Sequence, residues 1–223
     1  MSLRVLLFGA TGMVGEGVLH ECLQHPQVGS VRVINRRRCG VAHPRLTECL
    51  AADFFDLSAL EPELSGFDTC FFCMGVSSVG MEPETYRRTT YDLTMHVATT
   101  LVRLNPGMIF TYVSGVGTDS SEQGRSRWAR VKGKTENDLL KLPFRAAYMF
   151  RPGYIQPTPG LKRTYRFYRI AAPLYPFLKL VARRYVTTMQ ELGLAMIHAA
   201  LGGHEKPVLE CPDIVRLAKA APK

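Results

Sequence analysis

Three glycines spaced three apart, in Gly9-Ala10-Thr11-Gly12-Met13-Val14-Gly15, follow directly on the apolar run Leu3-Arg4-Val5-Leu6-Leu7-Phe8. A buried strand, a glycine turn and an amphipathic helix within the first ~25 residues set a pyrophosphate against backbone amides at the positive end of a helix. A Cβ in that turn would stand in the ligand's way, which is the physical use of glycine there. Thr11, Met13 and Val14 share the loop and join Gly9 and Gly12 as candidate cofactor contacts.

The rest of the chain agrees with this opening. Apolar runs predict strands over residues 3–8, 31–35, 46–51, 69–74, 108–114 and 145–150, with a short seventh at 208–211. Between them, helical periodicity marks 13–24, 83–104, 126–142, 188–201 and a basic stretch at 161–184. Strands alternating with helices imply an α/β protein with a doubly wound parallel sheet. The expectation is a single dinucleotide-binding domain over residues 1–223, with 151–187 forming a small C-terminal lobe that covers the substrate. Loops after the strands should gather on one rim, where such sheets bind ligands.

Composition narrows the function classes. The 223 residues, 46% hydrophobic and 21% charged, suit a globular domain with a full core. No apolar run reaches the ~18 residues of a membrane span; the best, 170–178, holds two prolines and stops at Lys179. With the first strand starting at once after the initial Met, the expected location is cytoplasmic. The cysteines of Cys70-Phe71-Phe72-Cys73 have redox-motif spacing, but three residues apart on a strand they point to opposite faces. Buried thiols and no metal site are expected. The net charge of +9 is concentrated at Arg36-Arg37-Arg38, in 125–134 and in 162–184, without any nucleic-acid motif. The expected partner is a small-molecule substrate and not nucleic acid, in a monomer or homodimer. Contact of the basic lobe with an anionic membrane surface is the lesser alternative.

The end of the second strand separates the two nicotinamide coenzymes. An acidic residue there accepts the ribose 2′-OH of NAD; this chain has Asn35-Arg36-Arg37-Arg38. A guanidinium binds a 2′-phosphate through two charge-assisted hydrogen bonds, so NADP(H) is favoured over NAD(H), with Asn35, Arg36 and Arg37 as contacts. Asp53-Phe54 follows the third strand, where a carboxylate can accept the adenine amino group and an aromatic or backbone group can border the ring. Asp53 is as well placed to cap a turn. Met74-Gly75-Val76 closes the fourth strand, its glycine permitting close approach of ribose and phosphates.

Five segments then occur in order: Gly9 to Gly15, Phe71-Phe72-Cys73-Met74-Gly75, Tyr112-Val113-Ser114, Val131-Lys132-Gly133-Lys134-Thr135-Glu136 and Phe150-Arg151-Pro152-Gly153. Together they resemble the atypical short-chain dehydrogenase/reductases, in the branch of the Tat-interacting oxidoreductases and bacterial epimerase-like proteins, over about residues 3–217. The resemblance implies a Rossmann-type fold, adds Pro152 and Gly153 to the cofactor contacts, and carries a catalytic Ser with a Tyr-x-x-x-Lys pair one helical turn apart. Ser114 and Lys132 match; the Tyr position is Trp128. In the family pattern the ammonium holds the nicotinamide ribose and lowers the phenol pKa, and the Ser polarises the substrate oxygen. An indole N–H donates a hydrogen bond but is no acid or base near neutral pH.

Two functions follow. One is an NADP(H)-dependent oxidoreductase or epimerase-like enzyme on a small carbonyl or sugar-like substrate, with Trp128 or a water chain where the phenol acts. The other is an NADP(H)-sensing regulator or scaffold in which Trp128 plugs the nicotinamide end. Tyr154 and Tyr91 are alternative proton sources. Tyr175 to Lys179 repeats the Tyr-x-x-x-Lys spacing, but inside the lobe.

Overall fold

Strand β1 (Leu3–Phe8) is buried from Val5 to Phe8 because both of its faces are covered, which is why it reads as unbroken apolar sequence rather than alternation. The computed structural model describes residues 2–163, 175 and 181–220. Helix α1 (Met13–Gln24) follows β1. Next come β2 (Val28–Asn35), β3 (Leu46–Leu50), a short turn with helix α2 (Glu61–Leu64), and β4 (Thr69–Phe72). Helix α3 (Pro83–Arg87) runs through a π-helical turn at Arg88–Asp92 into α4 (Leu93–Leu104). After β5 (Ile109–Val113) come α5 (Arg127–Leu139) and β6 (Ala146–Arg151). The chain finishes with β7 (Tyr154–Gln156), β8 (Val186–Thr188), α6 (Met189–Gly202), β9 (Val208–Glu210) and α7 (Cys211–Lys219).

Among the described residues, seven parallel strands stack in the order β3-β2-β1-β4-β5-β6-β9, and β7 pairs with β8 in a separate parallel ribbon. The order reverses between β1 and β4, whose registers tie Phe8 to Phe72. A crevice therefore opens where the chain leaves those two strands. Each face has its own core. Val5, Leu7 and Phe71 pack with α1, α6 and α7, while Leu6, Phe8, Phe72 and Phe110 pack with α4 and Leu139 of α5. Each such side chain is worth about 1.5–3 kcal/mol on leaving water.

Departures from the expected elements are local. Strand β4 stops at Phe72 because Cys73 and Met74 turn into the crevice after one last bond, Cys73 N–H to Phe8 O at 3.0 Å. Cys70 and Cys73 pack into opposite cores, as their spacing required. The single helix expected over 83–104 is interrupted by its π turn, a distortion that re-aims side chains. Tyr91, on that turn, donates to Asp138 of α5 at 2.8 Å. Of the helix expected over 161–184, residues 164–174 and 176–180 lie outside the described residues, as does Lys179 of the second Tyr-x-x-x-Lys spacing. Arg183–Tyr185 form a 3-10 turn.

Candidate functional site

A cleft of about 620 Å³ lies at the carboxyl ends of β1, β4, β5 and β6, lined by Gly12, Met13, Val14, Met74 to Ser77, Ser114, Lys132, Pro152 and Gly153, among others. Gly9 has φ +89°, and a Cβ there would sit 2.9 Å from the backbone of Cys73 and Met74. A Cβ on Gly15 would meet Gly9 O at 2.1 Å, so α1 can start this close to the loop only with glycine. The Gly12 N–H donates to Gly9 O at 2.9 Å, and no side chain caps the first turn of α1. That turn thus keeps its positive end for an anion. Glu16, the acid of the turn, is engaged elsewhere: its carboxylate accepts the amides of Lys162 and Arg163 at 3.0 and 2.7 Å.

Across the cleft, Lys132 and Ser114 lie side by side. Lys132 Nζ donates to the Ser114 carbonyl oxygen. Burial pushes the ammonium down to about 8, against the opposing pull of Glu136. Ser114 Oγ is 2.5 Å from Glu136 Oε1 and 3.2 Å from Phe150 O. With one proton to give, the hydroxyl favours the carboxylate, the stronger acceptor. Glu136 is buried and clasped by Arg151, whose Nε lies 3.1 Å from each carboxylate oxygen and whose Nη2 also donates. Arg151 reaches on to Glu210 at 3.3 Å and to Ser120. Sequence reasoning gave Glu136 and Arg151 no role. The available signal was an acid four residues after Lys132, on the same face of α5.

Trp128, at the Tyr position of the family pattern, stands in the first turn of α5. Its indole packs on Gly117, with ring carbons 3.6 and 3.8 Å from the position of a Cβ there, and it is not among the residues lining the cleft. Gly117, at φ +84°, turns the loop onto the ring. Neither alternative tyrosine lines the cleft. Tyr91 is bound to Asp138, with Lys134 Nζ 4.9 Å from its ring centre. Tyr154 donates to Gln156 at 2.9 Å, while its neighbour Ile155 takes the cleft side of β7.

At the β2 corner, Arg36, Arg37 and Arg38 are exposed, with no ion pair among the described residues. Asn35 beside them is 2% exposed, and neither its amide nitrogen nor its oxygen has a partner among the described residues. An orphan of this kind costs about 1–3 kcal/mol unless a ligand satisfies it. Asp53 caps a turn, accepting the Phe55 amide at 2.9 Å. The Phe54 ring is in the core, 6.0 Å from Phe8, so at that position the backbone alone remains to border an adenine. The described residues contain no group of three His, Cys, Asp or Glu able to hold a metal, and no helix long and apolar enough to cross a membrane.

Comparison with known proteins places this geometry. The protein fmp52-1 of Aspergillus oryzae is 30% identical over 156 residues, 67% of this chain and 64% of that protein, so the match spans just under two thirds of the relative's length. Protein HTATIP2 of Rattus norvegicus is 26% identical over 153 residues, 68% of this chain and 62% of its own. Among solved structures, the Bordetella bronchiseptica enzyme WbmF in complex with NAD+ superimposes with a TM-score of 0.63 at 16% identity, over 96% of this chain and 77% of that one. It shares the Rossmann-type fold. The expected cytoplasmic location is overturned: matching relatives from several Aspergillus species are named mitochondrial. That expectation rested on the lack of an apolar leader or span, and a lack of that kind does not fix a compartment. The description of the NAD dependent epimerase/dehydratase family matches residues 5–125, more than half of the sequence, and the chain belongs to that family.

Proposed function

We propose that this chain is an NADP(H)-binding oxidoreductase or epimerase-like enzyme acting on a small carbonyl or sugar-like substrate. The observation that carries the reading is the pairing, in one cleft, of an uncapped glycine-started helix with Lys132 and Ser114 on the opposite wall. The residues present fit a nicotinamide dinucleotide. Gly12 and Gly75 leave space beside the backbone, Met13 and Val14 offer the start of α1, and Asn35 awaits a polar partner. Arg36 and Arg37 are free to take a 2′-phosphate, which supports the phosphorylated coenzyme. When bound, the coenzyme supplies hydride transfer. Lys132 would hold the nicotinamide ribose, and Ser114 would turn its hydroxyl from Glu136 to the substrate oxygen. With no tyrosine among the described cleft-lining residues, the proton would come through a water chain. Calorimetry with NADPH and NADH tests the reading. Tighter binding of NADPH is expected, and uptake of neither would end it.

The same lack of a phenol favours a second reading, a weakly active or inactive NADP(H) sensor. Turnover of no member of a carbonyl panel, with NADPH still bound, would select it.

A further inference from the structure

A second concavity, of about 640 Å³, lies beyond the cofactor cleft on the β7–β8 ribbon. The ribbon is a wall shared by both: Ile155 of β7 lines the cleft, and Val186 of β8, register partner of Tyr154, lines the second cavity. The missing Cβ of Gly153 lets the chain at Tyr185 close this wall, since a Cβ there would sit 2.2 Å from Tyr185 O.

Its lining combines two kinds of group. Arg183 and Arg184 of the 3-10 turn face Arg216 and Lys219 of α7, while Val186, Pro212 and Val215 supply apolar surface. Among the described residues, Arg183, Arg184 and Lys219 make no ion pair, and only Arg216 has a carboxylate, Asp213. The one acid among the described wall residues, Glu191, is committed to the start of α6, accepting the Thr188 amide at 2.8 Å and the Thr187 hydroxyl at 3.2 Å. Four cations around a concave apolar floor repel one another and focus a positive potential into it. Arginine forks match the oxygens of a phosphate.

We infer that this cavity binds a phosphate ester carrying an apolar group, the phosphate among Arg183, Arg184, Arg216 and Lys219 and the apolar part on Val186, Pro212 and Val215. Neither coenzyme preference nor turnover enters the inference, so it stands or falls apart from the function proposed above.

Hexyl phosphate, which stays monomeric in water, is the probe, titrated calorimetrically into the full chain saturated with NADPH. Saturable binding of one probe per chain is expected, at least about tenfold tighter than inorganic phosphate because methylenes are buried. Arg183→Gln/Lys219→Gln should weaken it about tenfold or more at unchanged NADPH affinity and melting temperature. The inference is overturned by absence of saturable binding, by equal affinity in the double variant, or by competition between the probe and NADPH. A further arm uses phosphatidylcholine vesicles with about 30 mol % phosphatidic acid. Sedimentation with these vesicles without uptake of hexyl phosphate would make the four cations a membrane-contact patch and also overturn the cavity.

Discussion

Lys132 is held at a cost, and the cost can be measured. Burial lowers its ammonium from the ordinary 10.5 to about 8, so at pH 7 the folded protein carries a charge that it would be more stable without. A displacement of that size corresponds to about 3 kcal/mol, and solvent at the mouth of the cleft leaves about 2–3 kcal/mol. Lys132→Met keeps most of the side-chain volume and removes the charge. The variant should therefore be more stable than the parent at pH 7 by up to about 2 kcal/mol, after loss of the bond to Ser114 O. The sign with pH follows from linkage. Between the folded value and 10.5 the unfolded chain binds the extra proton, so this group's contribution to stability rises with pH. The variant's advantage should then shrink by about 1.3 kcal/mol, to about a third of its value, by pH 9. Burial also pushes the thiols of Cys22, Cys70 and Cys73 up, which erodes stability in alkali. That contribution is common to both proteins and cancels in the difference. Urea titrations of both at pH 7 and pH 9 give the numbers. NADPH affinity should fall in the variant, which is what marks the cost as functional. A variant less stable than the parent at pH 7, or an advantage that grows with pH, would refute the reasoning.

Replacing Arg36 and Arg37 with Ala should weaken NADPH binding about 10- to 100-fold and leave NADH nearly unchanged, as read by calorimetry. Gly15→Ala should destabilise the chain by several kcal/mol, about the cost of moving backbone that its Cβ would strike, whereas Gly75→Ala, with nothing within 4 Å, should keep its melting temperature and lose coenzyme affinity. Trp128→Tyr should raise turnover of a responsive carbonyl by less than about 10²-fold, because the indole it replaces lies on Gly117 and not in the cleft wall; a full 10²–10⁴-fold gain would show that the phenol reaches the substrate.

How much of this was legible in the sequence depends on distance along the chain. The buried parallel strands and the glycine turn are local signals, and β1 with α1 stands where its apolar run and spacing put it. The π turn at Arg88–Asp92 is invisible in the sequence because Tyr86, Leu93 and Val97 remain on the buried side across it, so the apolar pattern shows no break. Strands β7 and β8 have three residues each, too few to display alternation. Helix α7 announced itself with Pro212 in its first turn, and Glu210 and Asp213 form its capping box, but the strand predicted through Cys211 absorbed that start. Glu136 and Arg151 meet only because β6 returns beside α5, a matter of tertiary structure that no spacing encodes.

Two buried asparagines show why the carboxyl rim is the working end of the sheet. Asn105, at the opposite end and 6% exposed, is fully satisfied. Its oxygen accepts the amides of Gly66 and Phe67 at 2.7 and 2.9 Å, and its nitrogen donates to Leu64 O and Leu101 O. Arg45, likewise placed away from the cleft, donates to three backbone carbonyls, those of Leu23, His25 and Val28, between the end of α1 and the start of β2. Asn35, of the same type and also buried, has no partner for either atom among the described residues. Packing that satisfies one asparagine completely does not leave another empty for want of donors, since a Val at position 35 would remove the penalty at once. Asn35→Val should therefore leave the ligand-free protein as stable as before or more so, while Asn105→Val should lose about 2–4 kcal/mol through its stranded partners. Equal losses in the two variants would mean that Asn35 already has its partners in the free protein. A loss of coenzyme affinity confined to Asn35→Val would place its missing partner on the ligand.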